Sequence, residues 1–109
     1  MEGSMKGQVV IVPFPFSDLS GSKRRPALVI ADWGGSDVVL CQITSKAKYD
    51  GNEVSLSAAD FSAGGLPVAS NIRPNKIFTA DKTTLLGIAG TISPARYQEV
   101  VRSIVALIS

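Results

Sequence analysis

Apolar and polar positions along the chain fall into short blocks rather than long amphipathic repeats. Residues 8–12 form a run dominated by β-branched side chains and ended by Pro13 and Pro15. Such a run reads as a buried strand. Prolines at alternate positions cannot continue a central strand, because each lacks a ladder donor. The chain is therefore expected to leave the sheet near Pro13 or Pro15. Residues 17–23 are polar, with Gly21 as a turn former, a connection longer than the usual hairpin loop. A second strand is predicted over 26–30, with Pro26 at its first position, and a third over 38–44, the two joined by a turn over 33–37. After a polar loop over 46–52, residues 53–56 alternate polar and apolar and read as a half-buried edge strand. A turn is predicted over 61–65, followed by short strands over 66–69, 75–80 and 88–92.

The period then changes. Ser93 is a helix-capping residue followed by Pro94, the residue best tolerated at the first helical position. Tyr97, Val100, Val101, Ile104, Val105 and Ile108 recur at three- and four-residue spacing, the stripe of an amphipathic helix. Arg96, Gln98, Glu99 and Arg102 fall on the predicted wet side. Short strands followed by one terminal helix predict a mainly β fold, a small barrel packed by that helix.

Composition narrows the chemistry. The chain has 109 residues, 45% apolar and 18% charged, which fits one globular domain and excludes a disordered chain. Residues 1–5, with a second methionine after Gly3-Ser4, read as an appended leader, leaving 6–109 as the domain. No apolar run approaches the roughly 20 residues of a membrane span, and a cytoplasmic location is expected. There is one cysteine, Cys41, and no histidine. A disulfide within the chain, a Ser-His-Asp triad, a Cys-His pair and a His-based metal site are excluded. The remaining acids form no close cluster in sequence to hold magnesium. No metal and no cofactor are expected. Cys41 lies inside an apolar run and reads as a buried thiol.

Eleven basic and nine acidic residues leave a net charge of +2, too little to mark a nucleic-acid binder. The distribution is more informative, since Lys23, Arg24, Arg25, Lys46 and Lys48 share a stretch that holds only Asp32 and Asp37 as acids. Arg25 precedes Pro26 at the mouth of the second strand. A guanidinium there is an ordinary surface cation or a bidentate phosphate ligand. Thr44 and Ser45 end the third strand, where hydroxyls cap turns or donate to a phosphate oxygen. Consecutive strands are usually neighbours. An antiparallel pair would bring Arg25 and Thr44 to the same end of the sheet.

The run 7–18 (GQVVIVPFPFSD) followed by 21–30 (GSKRRPALVI) closely resembles the opening of MazF/PemK-type toxins of toxin–antitoxin systems. The pieces 43–45 (ITS) and 77–82 (IFTADK) and the terminal helix match in order. The resemblance implies an SH3-like barrel that forms a homodimer and cuts single-stranded messenger RNA at short sequences without a metal. It also implies a cognate antitoxin partner, with which such toxins act on DNA. By position it makes Arg25 and Thr44 the catalytic pair, and it matches residues 13–24 to a loop that shapes the RNA groove. Lys76 stands where relatives often carry glutamine. Ser20 stands where some carry a glutamate, with Asp18 nearby.

Unpaired bases stack on aromatic rings, for which Phe14, Phe16 and Trp33 are the candidates. Packing in the core is at least as good a reading of the two phenylalanines. Pro15, Asp18, Ser20, Lys23, Arg24, Ser45, Lys46 and Lys76 complete the expected RNA-binding set. The expected chemistry uses the RNA's own 2′-hydroxyl as nucleophile, giving a 2′,3′-cyclic phosphate and a 5′-hydroxyl. Two other readings stay open: a CcdB-type toxin, which shares the barrel and poisons gyrase, and an inactive barrel serving as a binding module.

Overall fold

The computed structural model describes residues 4–14, 23–46 and 51–109. Among these residues seven strands make one curled sheet: β1 (Gln8–Phe14), β2 (Lys23–Ala31), β3 (Asp37–Thr44), β4 (Val54–Leu56), β5 (Phe61–Gly64), β6 (Ser70–Asp81) and β7 (Gly87–Ile92). One helix follows, α1 (Pro94–Ile108). The strand order is β4-β6-β3-β2-β1-β7-β5, and every pairing is antiparallel. This is the mainly β, barrel-like architecture with a terminal helix that the patterning predicts.

Alternation along the strands makes two cores. Val9, Leu28, Cys41, Ile43, Ile72 and Ile92 bury one face, closed over by Val100 with Tyr97 and Ile104 of α1. Val10, Val12, Ala27, Val29, Val38 and Leu40 bury the other, with Met5, Phe78, Ala80 and Leu85 against them. Met5 is thus part of the folded unit, and its amide donates to Asp32 Oδ2 at 2.8 Å. The apolar stripe of α1 is covered only in part, since Val105 is 51% and Ile108 78% exposed.

Ser93 caps α1 as predicted, its Oγ accepting from the Arg96 amide at 3.2 Å. Arg96 is not simply wet. It pairs with Asp60 at 2.8 Å and Glu99 at 2.9 Å, tying the helix start to the sheet. The β2–β3 register gains one residue on β2 between Val29 and Ala31. Ile30 is the extra residue of this bulge, and its carbonyl takes the Tyr97 hydroxyl at 2.7 Å. A peptide oxygen that the ladder leaves over thus becomes the anchor of the helix.

The prolines depart from expectation in an instructive way. Pro13 lies inside β1, opposite Arg24, because the other neighbour, β7, reaches only Ile11. Here β1 is locally an edge, where a missing donor costs little. Pro26 is the fourth residue of β2 rather than its first, and the β2–β3 pairing begins only at Ala27. Pro74 is buried within β6. It falls in a bulge, since Gln42 opposes Arg73 while Cys41 opposes Ile77. Residues 74–76 stand outside the ladder.

Two predicted elements are wrong. Residues 61–65 were expected as a turn, yet Phe61–Gly64 pairs with β7, and residues 66–69, expected as a strand, join β5 to β6. The pairing depends on glycine. Gly64 has φ +67°, and a Cβ there would lie 2.7 Å from the Gly90 Cα. No side chain fits so close an approach of two backbones.

Candidate functional site

One end of the sheet carries a hollow of about 410 Å³, lined by Ile11, Arg24, Arg25, Pro26, Ile43, Thr44, Ser45, Leu66, Pro67, Val68 and Ser70. Arg25 and Thr44, far apart in sequence, line it together. Ala27 opposes Gln42, and the same register carried two residues further sets Arg25 against Thr44. Val12 opposes Arg25 on the other side, and Asn71 opposes Thr44. Arg25 and Thr44 therefore belong to the face of the Val12–Ala27 core. Arg24, Ile11, Pro26 and Ile43 belong to the opposite face, where Leu66 packs. The hollow wraps the sheet end and takes residues from both.

Thr44 is 8% exposed. Its Oγ1 accepts from the Lys46 amide at 3.1 Å. That bond occupies an acceptor site and leaves the hydroxyl proton without an acceptor among the described residues. Ser70, 6% exposed, is the complement. Its Oγ donates to the Val68 carbonyl at 3.1 Å, leaving its lone pairs as acceptors. Among the described residues, Arg24 and Arg25 are the only charged residues of the lining, and guanidiniums keep their charge in proteins. The hollow joins two permanent cations and three hydroxyls to an apolar wall.

The other expected RNA-binding residues distribute as follows. Ser45 and Arg24 line the hollow. Lys46 adjoins it through its amide. Phe14 and Lys23 oppose one another at the ends of β1 and β2. Pro15, Phe16, Asp18 and Ser20 lie outside the described residues. Lys76 sits in the β6 bulge beyond Arg73 and is exposed. Trp33, 63% exposed, follows the far end of β2, the length of that strand away from Arg25. Arg73 was missed by sequence reasoning. It is 8% exposed and stands on β6 two residues from Asn71, the partner of Thr44. The Ile72-Arg73-Pro74 context hid it, because a strand was predicted only from 75. The wall 66–68 was missed as well, since Leu-Pro-Val reads as strand.

The far end of the sheet has opposite character. Asp37 opposes Asp81 there, and Asp32 makes a clasp. The Asp32 carboxylate accepts from the Gly34 amide at 3.0 Å and the Met5 amide at 2.8 Å, and pairs with Lys82 at 3.0 Å. The Gly34 bond first, then Lys82 and Met5, hold its pKa down at about 2. The Asp81 carboxyl is lowered by the amide and hydroxyl of Thr83. Burial would raise that of Asp60, but the Ser57 amide and Arg96 outweigh it, and the net shift is downward. Cys41 is buried, and loss of solvent pushes its thiol up to about 12. Among the described residues no three His, Cys, Asp or Glu side chains gather as a metal site, and no helix is long and apolar enough to cross a membrane.

A small curled antiparallel sheet with one terminal helix is a fold shared with solved toxin structures. The chain superposes on a MazE–MazF crystal structure from Deinococcus radiodurans with a TM-score of 0.78 at 22% identity, covering 96% of this chain and 95% of that one. It superposes on an endoribonuclease in complex with its cognate antitoxin from a mycobacterial species with a TM-score of 0.74 at 20% identity, covering 95% and 93%. A Mycobacterium tuberculosis MazF toxin gives 0.67 at 17% identity, covering 89% and 91%. No curated protein matches the chain by sequence. Residues 5–108 match the family of PemK-like, MazF-like toxins of type II toxin–antitoxin systems, and the chain belongs to that family.

Proposed function

We propose that this toxin is an endoribonuclease that cuts single-stranded RNA at the Arg25–Thr44 end of the sheet, without a metal and by the 2′-hydroxyl route. The observation that carries the reading is the shared hollow: a guanidinium and a buried hydroxyl with a proton to donate, set on adjacent strands. The 2′-oxygen attacks the adjoining phosphorus and loses its proton to solvent. The bond from phosphorus to O5′ breaks, and O5′ takes up a proton. The products are a 2′,3′-cyclic phosphate and a 5′-hydroxyl. The chain supplies no covalent nucleophile. It holds the bond in line and stabilises charge on the pentacoordinate phosphorus. Arg25 grips the non-bridging oxygens in its fork, and Thr44 donates to one of them. Arg24, Ser45 and Lys46 hold the strand on either side. The protein acts as a homodimer restrained by a cognate antitoxin, as the mycobacterial relative and the MazE–MazF complex are found with their antitoxins.

The test is cleavage of a long single-stranded RNA by the purified protein in chelator, with end-group analysis of the fragments. Wild type should leave cyclic-phosphate and 5′-hydroxyl ends. Arg25→Ala should abolish cutting with an unchanged circular dichroism spectrum. Cutting by Arg25→Ala near the wild-type rate refutes the reading.

A further inference from the structure

The Asp32 clasp, at the opposite end of the sheet from the hollow, does more than hold a turn. Its side chain is 1% exposed, and its two oxygens divide three donors. Oδ1 takes the Gly34 amide and the Lys82 ammonium, each at 3.0 Å. Oδ2 takes the Met5 amide at 2.8 Å. The Gly34 bond alone is enough to shape the turn after β2. The Met5 bond reaches back 27 positions and fixes the point where the chain enters the fold. From there inward the backbone is tied at once, since Gln8 N–H donates to the Met5 carbonyl at 3.0 Å and Gly7 N–H to that of Val29 at 2.9 Å. Met5 also packs on the second core. Ser4, one residue outward, is exposed, and its Oγ lies 3.5 Å from the amide of its near neighbour Lys6.

A carboxylate oxygen aimed at a backbone nitrogen at the entry point suits a terminal amine better than an amide. A form of the chain that starts at Met5 carries an ammonium at that nitrogen. One proton keeps the bond to Oδ2, and the others face the side where the exposed Ser4 stood, open to water. A charge-assisted bond is roughly twice as strong as a neutral one. Lys82 sits on Oδ1, so the new cation displaces nothing. Asp37 and Asp81 oppose one another at this end and add negative potential, while Lys6, exposed, is a like charge beside the amine. The Asp32 carboxyl, held at about 2, stays ionised across the whole range in which an amine titrates.

We propose that Asp32 is a docking site for the chain's own α-amino group, completed when the chain starts at Met5 and reduced to a neutral amide contact when residues precede Met5 or when the amine is acylated. What stands before Met5 then sets the stability of the folded domain through one carboxylate. The test compares the full 109-residue chain with a chain starting at Met5, each with and without Asp32→Asn. The α-amine of the Met5-starting chain is labelled with an acylating reagent across a pH series, and the rate is read on its N-terminal peptide by mass spectrometry. An opposite charge in contact favours the protonated amine. Its titration midpoint should lie about one pH unit above the ordinary α-amino range of about 7.7–8.0, and labelling at pH 7 should run about tenfold slower than in Asp32→Asn. By thermal melting at pH 7 the Met5-starting chain should stand several degrees above the full chain, and Asp32→Asn should remove that difference.

A further arm leaves Asp32 untouched, in case its replacement unfolds the domain. The Met5-starting chain acetylated at its α-amine keeps an N–H for Oδ2 and loses only the charge, so it should melt with the full chain. An α-amine that titrates in the ordinary range overturns the proposal. So does a Met5-starting chain that melts at or below the full chain, or one whose melting is indifferent to acetylation.

Discussion

Thr44→Val is the sharpest single perturbation, because it removes a hydroxyl and keeps the shape. Two losses follow, and the structure separates them. The Lys46 amide, partly buried, loses its acceptor at 3.1 Å. A hydrogen bond of this kind contributes about 1 kcal/mol net, so Tm should fall by roughly 4–8 °C for a domain near 100 residues. The second loss is the proton that Thr44 has free for a phosphate oxygen. Removing one donor preorganised for transition-state charge costs about 10²–10³ in rate, far more than a stability loss of that size explains well below Tm. Thr44→Ser keeps both bonds and should behave near wild type in both measurements. The assay pairs initial cleavage rates of a defined RNA in chelator at 25 °C with melting curves of the three proteins. A valine variant that melts lower but cleaves within threefold of wild type would reduce Thr44 to a turn cap and remove it from the chemistry.

Three further outcomes are expected. Tyr97→Phe leaves the Ile30 bulge carbonyl without its partner at 2.7 Å and should cost about 1 kcal/mol, read by urea denaturation; an unchanged midpoint would mean the helix is held by packing alone. Asp32, depressed to about 2 from an ordinary 3.8, contributes stability that is complete above its unfolded value and lost as pH falls from the ordinary carboxylate range toward 2. Asp32→Asn should therefore lower Tm at pH 7 and narrow its gap to wild type by pH 2.5, and a gap constant with pH would exclude the charge as the cause. Cys41, buried with its thiol pushed up to about 12, should resist a thiol reagent in the native protein and react stoichiometrically in denaturant; rapid native labelling would contradict its burial.

The elements legible in the sequence are those whose signal is local. β1, β2 and β3 are apolar runs long enough to stand out, and α1 is announced by Ser93-Pro94 and a regular stripe. Arg25 and Thr44 could be paired in advance because they flank neighbouring antiparallel strands, a geometry that sequence order supplies. What was illegible is set by contacts between distant segments. Phe61–Gly64 carries the small residues of a turn, and it is a strand only because Gly90 lets the two backbones close together. β6 was seen in its second half alone, since Pro74 reads as a breaker unless the three-residue bulge is known. That misreading concealed Arg73. The wall 66–68 was invisible for a similar reason: its residues favour strand, and only the folded chain shows that no partner strand receives them.

The two ends of the central strands differ in a way that a net charge of +2 conceals. Among the described residues Arg24 and Arg25 stand where β2 begins, while Asp37 faces Asp81 at the far tips, where Lys82 offsets Asp32. Such a separation gives the described part of the sheet an electric axis running along its strands. A polyanion drifting past feels a torque before it feels a contact, so encounters arrive already aimed. That aiming fades once ions in solution shorten the field to a few ångströms, which makes association speed, rather than turnover, the quantity most sensitive to salt.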